Sequence, residues 1–183
     1  VMEYFCSAAS RRPKLLFVSH DATLTGAPAI ILRLLRDFSE SREYDCFTIL
    51  DAGGPRLADF EQFSHCHVLK HSFRRSGWKY EDTEAEIGSL IDSLSGEPPR
   101  VALVNSAESR HIGKALAGLG IKVISLVHET ASYYSPEVIG ELLSNSANVI
   151  YPSQYVRSEA IRFTTDDGGK ASVVGQGLLD DDF

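Results

Sequence analysis

The sequence predicts an α/β protein: a doubly wound, mainly parallel Rossmann-like sheet with helices on both faces. Three observations carry that expectation. Strand-like apolar runs alternate with segments of helical periodicity along nearly the whole chain. The strand runs are continuously apolar, as strands covered on both faces require. Polar residues collect where the runs end, and an open parallel sheet binds ligands beyond its carboxyl ends.

Taken in order, the first strand is the run Leu15 to Val18. It breaks into a polar loop and restarts as a helix with Ile30, Ile31, Leu34, Leu35 and Phe38 at helical spacing. Thr25 or Gly26 caps that helix, and Pro28 suits its first turn. The N–H groups of Gly26 and Ala27 then sit at the positive end of the helix dipole, and a glycine lets a phosphate approach the backbone. A cap of this kind also serves simply to start a helix.

Further strands are expected at Cys46 to Leu50, Cys66 to Leu69, Val101 to Val104, Val123 to Val127, Asn148 to Tyr151 and Ala171 to Val174. Ile112, Ala115, Leu116 and Leu119 mark a helix that Gly120 stops. Val138, Ile139, Leu142 and Leu143 mark another behind Ser135-Pro136, and a third starts at Ser153 with Tyr155, Val156, Glu159 and Ala160. Residues 93 to 100 read as a loop, and residues 1 to 13 as a separate lead-in. In the order 3-2-1-4-5-6 the crevice opens between the first and fourth strands. Ser19, His20, Asp21, Asp51, Gly53, Gly54, Asn105, Ser106, His128, Glu129 and Ser153 then fall at its edge.

Composition narrows the function. A net charge of −7 argues against a nucleic-acid binder. Three scattered cysteines, Cys6, Cys46 and Cys66, form no CxxC pair and suit a reducing, cytoplasmic setting. No apolar run approaches the ~20 residues that span a bilayer, so at most a peripheral membrane contact is expected. The first residue is valine, and the expectation is an excised or processed piece.

The first loop offers Gly26 alone where a dinucleotide fold would show G-x-G-x-x-G. The chain contains neither the G-x-S-x-G elbow of the α/β-hydrolases nor the GxxxxGK[ST] loop of NTPases. His128-Glu129 is not followed by the second histidine of HExxH. His65, Cys66, His67 and His71 lack metal-ligand spacing, since Cys66 points away from the face that His65 and His67 share; no metal is expected. His128 ends the run VISLVH and so projects at the sheet edge, either to meet a sugar hydroxyl or simply to bond a neighbouring loop. The segment 70 to 79, KHSFRRSGWK, could touch an anionic acceptor or lipid headgroups; Glu81, Asp82, Glu84 and Glu86 behind it favour a solvated loop ahead of a helix.

SHDATLTGAP, NSAESRHIGKAL, ISLVHE, VIYPSQYVRSEA and VVGQGL, in that order, resemble the amino-terminal domain of group 1 glycosyltransferases. These are two-domain GT-B enzymes, mostly retaining, that use nucleotide sugars. The likeness runs from Lys14 onward, with Thr25 where the family usually shows a second glycine. It implies that Gly26 and Ala27 approach the donor diphosphate, that His128, facing the donor sugar and acceptor, and its acidic neighbour Glu129 are the catalytic residues, and that Ser19, His20, Asn105 and Ser153 lie on the acceptor side. It also implies an acceptor-side domain over residues 14 to 178 and the start of a linker at 179 to 183. A donor-binding second domain, absent here, would carry most nucleotide contacts. The expected activity is transfer of a sugar, of hexosyltransferase type, from a nucleotide-sugar donor to a carbohydrate, lipid-linked or related acceptor. The fragment alone should be inactive. A noncatalytic Rossmann-like module that binds a ligand or partner is the rival reading.

Overall fold

The computed structural model describes residues 12–162 and 169–175. Strand β1 (Lys14–Ser19) leads into α1 (Gly26–Ser41), β2 (Asp45–Leu50), α2 (Leu57–Phe63) and β3 (His65–Val68). Helix α3 (Tyr80–Ser93) then crosses to β4 (Val101–Asn105), followed by α4 (Arg110–Gly118) and β5 (Lys122–Leu126). The described chain closes with α5 (Pro136–Asn145), β6 (Asn148–Tyr151), α6 (Gln154–Ile161) and β7 (Ala171–Val173). The strands form one sheet in the order β3-β2-β1-β4-β5-β6-β7, and every pairing is parallel. The expected lead-in up to residue 11 and the linker at 179 to 183 lie outside the described residues.

Alternate residues of the central strands feed two cores. Leu15, Phe17, Cys46 and Leu50 face Ile31, Leu32 and Leu35 of α1 and Phe60 of α2. Leu16, Val18, Phe47 and Ile49 face Ile87 and Ile91 of α3 and Ile112, Ala115 and Leu116 of α4. With both faces covered, β1 has no exposed position to make polar, which is why its sequence is a solid apolar run. A third cluster packs Ile139 and Leu142 of α5 and Val156 and Ala160 of α6 with Val149 and Tyr151 of β6.

The helix ends follow their local chemistry. Gly120, at φ +79°, closes α4: its N–H donates to the Ala117 carbonyl and that of Ile121 to Leu116. This is the paired bonding that a left-handed residue after a helix permits. Ser153 caps α6, its hydroxyl accepting from the Val156 N–H at 3.3 Å. Several strand ends differ from expectation by one residue, and one helix was not expected. β3 begins and ends one residue before the apolar run at Cys66 to Leu69, and α2 fills a stretch with no predicted helix. Seven residues with Leu57, Phe60 and Phe63 are too few to show a period.

Candidate functional site

The polar loops gather at the carboxyl ends of β1, β2, β4 and β5. Behind β1, Asp21 is buried and its Oδ1 accepts from the N–H and hydroxyl of Thr23 at 3.1 and 2.8 Å. Thr23 in turn shares a 2.9 Å hydrogen bond with the Thr25 hydroxyl. Thr25 occupies the cap position of α1 but makes no side-chain cap. The first-turn amides of Gly26 and Ala27 thus receive no such bond, and Pro28 brings none of its own. Gly26 is exposed, and a Cβ built there meets nothing within 4 Å. The positive end of α1 opens onto free space. Gly54 is the opposite case: a Cβ there would stand 2.3 Å from the Ala22 carbonyl oxygen, so the loop after β2 packs backbone to backbone on the loop after β1.

Across from α1, Asn105 ends β4 fully buried. Its Nδ2 donates to the Ala27 carbonyl at 2.8 Å, and its Oδ1 accepts from His128 Nε2 at 2.6 Å. With the amide nitrogen committed to a carbonyl, the amide oxygen must face the ring, which fixes the His128 proton on Nε2. One side chain therefore ties the half-buried His128, after β5, to the head of α1.

Glu129 is half-buried and bonded to the neighbouring loop. Its carboxylate accepts from the Ser106 hydroxyl, from the Ala107 N–H at 3.4 Å and from the His128 N–H at 3.2 Å. Ser106 is buried at φ +73°, a conformation costly for a side-chain-bearing residue, and the Glu129 carboxylate helps to hold it. Burial and the nearby Glu129 and Glu108 carboxylates push the Tyr134 hydroxyl above its usual range.

The acceptor-side expectations divide. Ser19 is fully buried and its hydroxyl donates to the Asp21 carbonyl at 2.9 Å, so it shapes the loop. Ser153 is the cap of α6. His20 differs: its side chain is 12% exposed, its Nε2 lies 3.6 Å from Asp21 Oδ2, and its buried Nδ1 has no hydrogen-bond partner among the described residues. Such a buried, unsatisfied nitrogen is the kind of group a ligand hydroxyl satisfies.

A second polar centre forms around Asp51, which the sequence places at the crevice edge without indicating its partner His111. Asp51, fully buried after β2, accepts from Ser72 Oγ at 2.8 Å, the Phe73 N–H at 3.2 Å and His111 Nε2 at 3.1 Å. Burial alone would raise its carboxyl; the hydrogen bond and charge of His111, with the Ser72 and Phe73 donors, outweigh burial and hold it below its ordinary value. His111 lies against the rings of Phe73 and Trp78, at 5.0 and 5.8 Å between centroids. The available signal was the burial pattern of α4, whose apolar face of Ile112, Ala115 and Leu116 includes His111.

Nor do the other histidines form a metal site. His67 Nε2 and His71 Nδ1 each lie 2.9 Å from the Glu86 carboxylate, and His65 stacks on Phe47. No group of three potential ligands is placed to hold a metal among the described residues. No described helix is long and apolar enough to cross a membrane. A cavity of about 760 Å³ lies at the amino end of β1, between Lys14, Phe38, Tyr44, Pro98 and Ile124.

No family model and no curated protein sequence matches the chain. Solved structures do. The fold is similar to the apo form of the lipopolysaccharide outer core galactosyltransferase WaaB, with a TM-score of 0.67 and 14% identity over 90% of this chain and 46% of that one. It is similar to UDP-N-acetylglucosamine 2-epimerase, with a TM-score of 0.61 and 13% identity over 90% of this chain and 48% of that one. It is also similar to Arabidopsis thaliana UGT89C1 complexed with UDP, with a TM-score of 0.50 and 16% identity over 92% of this chain and 53% of that one. The chain spans about half the length of these proteins and has the fold of one Rossmann-like domain of the GT-B architecture.

Proposed function

We propose that the chain is the acceptor-side half of a glycosyltransferase that moves a sugar from a nucleotide-sugar donor to a carbohydrate, lipid-linked or related acceptor. The observation that carries this reading is Asn105, which joins the His128 imidazole at 2.6 Å to the Ala27 carbonyl at 2.8 Å. It couples an oriented ring to a helix terminus whose amides at Gly26 and Ala27 receive no side-chain cap. In this reading the helix terminus, rather than a metal ion, faces the donor diphosphate and offsets the charge that grows on the leaving group. His128 holds the donor sugar while positive charge develops at the anomeric carbon. Asn105 fixes its orientation and Glu129 fixes the loop beneath it, so both are positioning residues. His20 offers its unsatisfied nitrogen to an acceptor hydroxyl.

The test is to supply the full-length polypeptide with nucleotide sugars and resolve the products. UDP-sugars come first, because Arabidopsis thaliana UGT89C1 was solved with UDP. Transfer to an acceptor is the expected result. Because UDP-N-acetylglucosamine 2-epimerase shares the fold, conversion of the donor into its epimer without transfer is the outcome that would replace this reading. Residues 1 to 183 alone should neither turn over nor tightly bind a nucleotide sugar, since one wall of a cleft cannot position both reactants. Micromolar binding to this chain alone would mean that the donor contacts lie in this half.

A further inference from the structure

We propose that the segment 70–79, which joins β3 to α3, is a preorganised strap that recognises a phosphate ester of the acceptor at the crevice mouth; the role rests on the glycosyl-transfer reading. The sequence favours a solvated loop here, but the structure pins it along its length. The Lys70 and His71 N–H groups donate to the Glu86 carboxylate at 2.9 to 3.1 Å. Ser72 and Phe73 donate to the buried Asp51, the Arg75 N–H bonds the Ser72 carbonyl, and that of Trp78 bonds the Arg75 carbonyl. Trp78 Nε1 donates to Thr83 Oγ1 at 2.8 Å.

Arg74 Nη1 reaches Asp21 Oδ2 at 3.1 Å, which sets the strap against the loop behind β1, beside His20. The remaining cations point outward. Lys70, Arg75 and Lys79 are exposed, and their charged groups make no ion pair or side-chain hydrogen bond among the described residues. In a chain of net charge −7, three exposed cations carried within ten residues on an ordered strap beside a crevice are a local positive charge in a negative molecule. Because the backbone is already ordered, an anion meeting these groups orders only side chains, which favours affinity. A phosphate ester, with two charges and several acceptor oxygens, matches lysine and arginine donors together.

Trp78 is the chain's only tryptophan and lies in the strap, so its fluorescence reports binding there. The 183-residue chain is titrated with glycerol 3-phosphate and, separately, with phosphatidylglycerol vesicles against phosphatidylcholine vesicles. A saturable Trp78 response that weakens with salt is expected from at least one phosphate source. Charge reversal, Arg75→Glu with Lys79→Glu, should weaken that binding at least about tenfold, and the milder Gln pair less. A response to glycerol 3-phosphate assigns a soluble phosphorylated acceptor; a response to phosphatidylglycerol vesicles alone assigns a lipid headgroup. No response to either probe at low salt, or one unchanged by charge reversal in a protein with a normal melting curve, overturns the proposal. The titration uses no donor sugar, so its failure leaves glycosyl transfer to be judged by the product assay.

Discussion

Two histidines stand at the same end of the same sheet in contrasting settings. His111 faces a carboxylate, Asp51, with its side chain 7% exposed and two aromatic rings against it. His128 faces a neutral amide, Asn105, and remains half-buried at the crevice. An imidazole bonded to a buried carboxylate inside an aromatic clamp belongs to a buried structural hydrogen-bond centre. An imidazole oriented by an amide that also grips a helix terminus is fixed in direction at the head of that helix. The contrast teaches that position at a strand end does not identify a functional histidine; what its second nitrogen, its partner and its exposure leave available does.

The comparison breaks most visibly at Asp51. Its removal in Asp51→Ala leaves Ser72, Phe73 and His111 without their acceptor, and each buried donor left unsatisfied costs about 1–3 kcal/mol. At roughly 2–4 °C per kcal/mol for a domain of this size, the melting midpoint should fall by about 10 °C. A midpoint within ~2 °C of the parent would show that the Asp51 centre does not hold the fold.

Gly54 and Gly26 form a parallel pair. Gly54→Ala drives a Cβ to 2.3 Å from the Ala22 carbonyl and should cost about 1–3 kcal/mol, read by denaturant unfolding. Gly26→Ala enters open space at a helix start and should change stability by less than about 0.5 kcal/mol. A β-branched residue at Gly26 should then raise the donor KM of the full-length enzyme more than it lowers the melting midpoint; equal losses would make Gly26 merely structural.

Acid titration sharpens the same contrast. Asp51 is held below its ordinary 3.8, and Glu86 below 4.5: burial opposes the shift, and the Lys70, His67 and His71 hydrogen bonds to Glu86 outweigh it. A depressed carboxyl contributes stability that is complete above its unfolded value and disappears as pH falls through the lower folded one. Stability should therefore fall below about pH 4, with the acid limb shallower in Glu86→Gln. An identical acid limb in the two proteins would remove Glu86 from the account.

The smallest effect is chemical. Burial first, then the Asp45 charge, pushes the Cys46 thiol up to about 11; burial and Glu61 push Cys66 up to about 12. A thiol reagent at neutral pH should leave both unmodified until the protein unfolds, as peptide mapping would show.

Much of this was legible in the residues. The solid apolar runs and the alternation of strand and helix pointed to the parallel sheet, and the usual doubly wound order, assumed for its first six strands, is the one observed. Gly120, Ser135-Pro136 and Ser153 marked helix ends because capping is local chemistry. The Asp51–His111 bond joins residues 60 positions apart, so no local pattern carries it. The roles of Ser19 and Glu129 were equally hidden, because they depend on how the loops turn. Glu129 takes the Ser106 hydroxyl only because the chain after β4 passes through a positive φ there. His20 fell at the crevice as expected, but its unsatisfied nitrogen depends on the packing around it.

The most direct measurement of the central claim, resting on the proposed transfer reaction, pairs His128→Ala with His111→Ala in the polypeptide that transfers sugar in the product assay, following kcat and the melting midpoint together. His128→Ala should lower kcat by ~10²-fold or more, the scale of one lost preorganised contact to the transition state, and leave the midpoint nearly unchanged. His111→Ala should chiefly lower the midpoint. Near-normal kcat in His128→Ala, in a protein that transfers sugar and melts like the parent, would contradict the account.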